Sequence, residues 1–361
     1  MSLVNFWFVV IGVLWAGFLI LEGFDFGVGA LQRPLGRDEA GQETVLGTIA
    51  PVWDGNEVWL VVAGAGMFAA FPGWYAAMFS AMYLALVLLL VALILRGVAL
   101  VLRSKRSSPV WRRNWDALLA GSSVVAPLLI GVALGDLLHG IPIGANQVYT
   151  GTFWELLQPY AIYLGITMVG LCLLHGCVFV VLKTRGEIRD RAAGTARALG
   201  PVAGALVIGF AIWTQVMAGG GVGPWLVEAV AVVAAVAAAG LAGRGHDAVA
   251  FTLTLVTIAA VAATIFVNLH PRVMVSTLGA ADDLTVQNTS SAHYSLTVMT
   301  WVAAILLPAV LVYQAWTYYT FRHRLGQAPA AAGPAPTPPP VQAPPERVTT
   351  PATPRPPTDN D

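Results

Sequence analysis

Nine stretches of about twenty predominantly apolar residues, each long enough to cross the hydrocarbon core of a bilayer, follow one another along this chain. They lie at 6–30, 49–70, 75–102, 116–137, 158–182, 200–219, 223–243, 248–268 and 292–320 of 361 residues. The composition admits no water-soluble alternative. Charged residues make up 11 % and apolar residues 57 %, whereas a soluble domain carries about 25 % charged residues. An ordinary cytosolic enzyme, a nucleic-acid binder and a disordered protein are excluded. The expected fold is all-α and polytopic, with nine transmembrane helices. Gly219-Gly220-Gly221-Val222-Gly223-Pro224 separates the sixth and seventh segments, because such a run cannot continue a helix. The first segment lacks a basic flank and a small-residue cleavage site, and it carries two acids. It is expected to be a retained helix and not a signal peptide.

Orientation follows from the basic residues. Of the 19 lysines and arginines, 17 fall in alternate loops or after the last segment. Arg272 alone falls on the opposite side, and Arg96 lies inside segment three. The N-terminus is therefore expected outside and the C-terminus in the cytoplasm, which an odd number of spans requires. Residues 1–326 form the expected transmembrane domain. Residues 327–361 hold 12 of the 23 prolines and are expected to be a disordered cytoplasmic tail with polyproline-II character.

Ionisable residues inside membrane segments are costly, at about 2.5–3.5 kcal/mol near the bilayer centre on insertion scales, and are functional candidates by default. Segment one contains Glu22 and Asp25; segment two contains Asp54 and Glu57. Each pair is spaced i, i+3, which places it on one helical face, about 4.5 Å apart along the axis. Given the orientation, all four acids lie in the cytoplasmic half at similar depth, with Asp54 and Asp25 deepest. Arg96 of segment three lies at a comparable level. Four acids and one base cannot all be neutralised by pairing, so some of these carboxyls should hold and pass protons near neutral pH. Three readings fit the spacing: a proton path from the cytoplasm, a buried ion network that fixes helix packing around Arg96, or a cation site. A proton-coupled secondary transporter fits the acids equally well, although no internal repeat or midplane helix break accompanies them.

Gly23 with Gly27, and Gly131 with Gly135, form small-xxx-small pairs suited to close helix contact. Of the six histidines, only His175 and His293 are expected within helices, which offers no facing pair for a haem. His175 stands between Cys172 and Cys177, but the three do not share a helical face, and no metal site is expected. Walker, dinucleotide-binding and nucleophile-elbow motifs are absent. Two longer outer loops, at about 138–157 and 269–291, either cap a site, hold a partner or are simply solvated. Trp74, Trp154 and Trp225 are expected at the outer interface.

Taken together, Glu22-Gly23-Phe24-Asp25-Phe26-Gly27-Val28-Gly29 and Pro51-Val52-Trp53-Asp54-Gly55-Asn56-Glu57-Val58-Trp59 resemble subunit II of cytochrome bd quinol oxidase. Phe68-Ala69-Ala70-Phe71-Pro72, Trp111-Arg112-Arg113-Asn114-Trp115-Asp116 and Leu296-Thr297-Val298-Met299-Thr300-Trp301 agree in the same order. The resemblance spans about 5–322 and stops before the tail. It implies two four-helix bundles plus one peripheral helix. It also implies a haem-free subunit in the bacterial cytoplasmic membrane, beside a subunit I that carries haem b558, haem b595 and haem d. The family's complex oxidises quinol and reduces dioxygen to water with cytoplasmic protons. In that family the acid of the Trp-Asp-Gly-Asn motif lines a proton route between the subunits, a role that carries to Asp54. The Gly-Phe-Asp acid carries to Asp25 and, by proximity, Glu22. Glu57 and Arg96 extend the path on spacing alone. A structural quinone occurs in some members, and the high-GC composition favours menaquinone over ubiquinone. Small single-helix accessory subunits and membrane lipids are the other partners implied.

Overall fold

The computed structural model describes residues 2–219 and 221–326. The predicted Pro-rich tail lies outside the described residues. Eleven α-helices account for nearly all of the rest: α1 (Leu3–Leu35), α2 (Glu39–Gly47), α3 (Trp53–Ala70), α4 (Pro72–Ala81), α5 (Tyr83–Leu102), α6 (Pro109–His139), α7 (Pro159–Lys183), α8 (Gly186–Ala218), α9 (Val222–Leu241), α10 (Asp247–Leu269) and α11 (His293–Thr320). Eight helices among the described residues are long and apolar enough to cross a membrane. The second predicted segment, α3, is not among them. Its first two turns carry Asp54, Asn56 and Glu57, which lower the mean hydropathy of an 18-residue helix.

The third predicted segment is not one straight helix. It is divided at Met82 into α4 and α5, and Pro72 stands at the start of α4. The glycine run falls between α8 and α9 as expected. Gly219 closes α8 in the left-handed conformation (φ 60°), which a glycine adopts without steric cost. The next helix already begins at Val222 and absorbs Gly223 and Pro224 into its first turn.

Helix α1 is the hub, packed against α3, α6, α7 and α10. Glycine makes the closest approaches. Gly27 meets the backbone of Cys172 and Gly176 on α7, so closely that a Cβ there would overlap the Cys172 carbonyl. On the other flank of α7, a Cβ at Gly131 would lie 2.6 Å from the Cα of Gly165, and one at Gly135 2.6 Å from that of Ala161. Both small-xxx-small pairs therefore face α7, and backbone contact there supplies dispersion that lipid cannot. By contrast, α11 buries only Leu296. Much of the outward surface of α3, α5, α8, α9 and α11 is Val, Leu, Ile and aromatic side chain, suited to lipid or to another apolar protein surface.

The loops collect at two opposite ends. At one, Arg103 pairs with Asp116 (2.5 Å), Arg112 with Glu39, and Arg189 with Asp247 (2.6 Å). At the other, the two long loops fold onto each other. Ser276 Oγ donates to the Ile143 carbonyl (2.6 Å), Gln147 Nε2 to that of Asn288 (3.2 Å), and Asp283 accepts from the Ser276 amide (2.8 Å). These loops form one interlocked cap. Trp74 differs from expectation. It is fully buried beneath this cap, packed on Phe8 and Phe71, while Trp154 and Trp225 are exposed.

Candidate functional site

Glu22 and Asp25, one turn apart on α1, have no solvent exposure, and neither does Arg96 of α5. A buried charge survives only when paired or hydrogen-bonded. Arg96 Nη1 donates to Glu22 Oε1, and the guanidinium lies 5.0 Å from the centroid of the Phe26 ring. The arginine predicted at the acids' level is thus the counter-ion of one of them.

Asp25 is held by a different device. Asn56 Nδ2 donates to Asp25 Oδ2 (2.7 Å) and lies 3.2 Å from the Leu21 carbonyl. The Asn56 carbonyl oxygen in turn accepts from Gln314 Nε2 (3.1 Å) and Tyr318 OH (2.8 Å) of α11. Asn56 therefore ties α1, α3 and the otherwise little-buried α11 together at the acid. Helical spacing alone does not single out Asn56. It stands between Asp54 and Glu57 in sequence, and roughly 200° around the helix from Asp54. Its position in the Trp-Asp-Gly-Asn motif was the available signal.

The same rotation sets the surroundings of Asp54. With Asn56 facing α1, the Asp54 carboxylate faces away, and it is exposed in this chain. Glu57 is half-buried and within electrostatic reach of Arg96. The four acids are not one buried cluster. Glu22 and Asp25 form a sealed pair with Arg96, while Asp54 sits on the open face of α3. Two atoms of the sealed group have no hydrogen-bond partner among the described residues: Arg96 Nε and Nη2.

His175 has a packing role. Its ring is stacked on Phe251 (4.8 Å, 10°), Nδ1 lies 2.7 Å from Thr254 Oγ1, and Nε2 lies 3.2 Å from the Ile20 carbonyl. Both nitrogens are occupied, so this ring does not fit an axial haem ligand. His139, expected in a loop, is the last residue of α6. Among the described residues no three His, Cys, Asp or Glu side chains assemble as a metal-ion set.

The model of the cytochrome bd terminal oxidase subunit II family matches residues 3–321. This chain belongs to that family. It is 39 % identical over 328 residues to the cytochrome bd ubiquinol oxidase subunit 2 of Bacillus subtilis, covering 90 % of this chain and 97 % of that one. It is 34 % identical to the cytochrome bd-I ubiquinol oxidase subunit 2 of Escherichia coli K12, covering 88 % and 94 %. In fold it matches a chain of the solved bd oxidase from Geobacillus thermodenitrificans, with a TM-score of 0.72 over 89 % of this chain and 99 % of that one, at 16 % identity. The chain is a multi-pass subunit of an oxidoreductase complex of the bacterial cytoplasmic membrane, a terminal oxidase of the respiratory chain. Family membership sets the transporter reading aside.

Proposed function

We propose that this chain is the haem-free second subunit of a bd-type quinol oxidase, that it brings cytoplasmic protons toward the oxygen-reducing haems of subunit I, and that it stabilises that partner. The observation that carries the reading is the acid arrangement. Glu22 and Asp25 are sealed with one arginine inside the α1–α3–α5 packing, and Asp54 lies one helix outward on an exposed face. A carboxyl at a surface that a partner covers, backed by two more within the helices, is a relay whose members can exchange a proton. Asn56 orients the Asp25 carboxyl by a hydrogen bond to one oxygen, and the Glu22 carboxyl lies within hydrogen-bonding reach of it. Arg96 offsets one negative charge, so the group needs only one further proton to be neutral.

In this reading nine spans cross the membrane, with α3 as the second and the bent α4–α5 pair as the third. Helices α1, α3, α5 and α6 form one four-helix bundle, α7 to α10 the other, and α11 lies at the edge. The N-terminus is outside. The exposed apolar faces of α3, α5 and α11 are where subunit I packs. The test is turnover in the assembled two-subunit complex. Asp25→Asn and Asp54→Asn should each slow oxygen reduction while the reduced-minus-oxidised haem spectrum stays unchanged. Normal turnover in both fully assembled variants would overturn the proton role.

A further inference from the structure

Between α1 and α6 lies a line of buried polar atoms that the Asp54 route does not use. On α1, Asp25, Gly29 and Gln32 are spaced i, i+4, i+7 and so share one stripe. On α6, Asp116 and Ser123 are seven residues apart and share another. The stripes face each other in antiparallel register. Gln32 Nε2 donates to the Asp116 carbonyl (3.1 Å), and Ser123 Oγ packs directly on Gly29, where a Cβ would displace it.

Gln32 is fully buried and Ser123 is 2 % exposed. Gln32 Oε1 and Ser123 Oγ have no hydrogen-bond partner among the described residues. Buried polar atoms are partnered in roughly 90 % of cases or more. Two orphans on one seam, about one turn apart along α1, are what an internal file of water satisfies. The seam also has a mouth. Asp116 is bound by Arg103 (2.5 Å), whose Nη2 reaches half-buried Gln42 (2.8 Å), and Arg33, 42 % exposed, lies 3.9 Å from the second Asp116 oxygen.

The geometry points to a second proton route, wholly inside this subunit: water enters beside Asp116 and Arg33, is held by Gln32 and Ser123 along Gly29, and reaches Asp25 and Glu22 without passing Asp54. This rests on the proton-delivery reading above. Gln32 and Ser123 are positioning residues for water, and Gly29 lets Ser123 Oγ approach α1.

The test uses the purified two-subunit oxidase. Gln32→Leu should slow oxygen consumption about tenfold, less than the loss of a proton-transfer group itself because the Asp54 branch stays open. It should also raise the H2O/D2O rate ratio, which a merely structural defect would not do, and Gln32→Glu should restore both. If Asp25→Asn is slow but Gln32→Leu keeps the wild-type rate and isotope ratio, the file is refuted and the proton-delivery reading stands. If Asp25→Asn turns over normally the file falls, and if Asp54→Asn does so too the proton-delivery reading falls with it. Should Gln32→Leu fail to assemble, the near-isosteric Ser123→Cys variant decides. Silver ions, which travel where water travels, should inhibit it at lower concentration than the unsubstituted complex, whose Cys172 thiol lies at the inner end of the file beside Gly23. Equal sensitivity of the two would refute the file.

Discussion

Replacing Arg96 with methionine gives the sharpest test of how the acids are held. Methionine keeps most of the side-chain volume, so the change removes the charge without opening a large cavity. It leaves Glu22 and Asp25 fully buried, with the Asn56 amide still donating to Asp25. Breaking a buried pair by removing one partner costs about 3–5 kcal/mol, because the other charge remains desolvated. The lost Phe26 contact lies within that figure. The reverse change is cheaper. In Glu22→Met the arginine still has Asp25 and Glu57 within electrostatic reach, so the loss should be about half as large. The Arg96→Met/Glu22→Met double variant should recover part of the Arg96→Met loss, since replacing a whole buried pair with apolar groups is often close to neutral. The assay is an SDS titration of the two-subunit complex in mild-detergent micelles, followed by haem absorbance. A midpoint for Arg96→Met equal to that of the unsubstituted complex, or a larger loss in Glu22→Met than in Arg96→Met, would show that Arg96 is not what holds the buried acids.

Two further outcomes follow from the packing and the composition. Gly27→Leu should prevent assembly altogether, because its side chain would occupy the place of the Cys172 and Gly176 backbone, whereas Gly194→Leu on α8, with open space at its Cβ, should assemble normally; blue-native gels of membranes check both. Deleting residues 327–361 should leave assembly and oxygen consumption unchanged, since the segment holds 12 of the 23 prolines and little that can pack; loss of the complex would show that the tail binds a partner.

Most of the membrane architecture was legible because lipid tolerates few patterns. Each of the nine apolar runs corresponds to a helix or, for the third, to a bent pair. The bend at Met82 carried no signal, since neither glycine nor proline marks it. The pairing of Arg96 with the α1 acids was legible from depth alone. What spacing could not supply was rotation. An i, i+3 pair fixes that Asp54 and Glu57 share a face, but not which neighbour that face meets, and here Asn56 faces α1. Gln32, Asp116 and Ser123 were overlooked for a related reason. A glutamine, a serine and an acid at a predicted helix start are unremarkable one by one, and they stand out only when α1 and α6 are brought into register. Trp74 was misplaced because an aromatic near a helix end suits either an interface or a core, and the interlocked loops above it decide for the core.

The most direct measurement of the central claim is proton uptake during a single turnover. The fully reduced complex is mixed with oxygen, and a pH-indicating dye and the haem absorbance are followed together. In Asp25→Asn the proton-delivery account predicts that oxygen binds at the usual rate and that proton uptake from the medium is then slowed in step with the later haem transitions. Proton uptake and haem oxidation at unsubstituted rates, in a variant with the full haem spectrum, would contradict it.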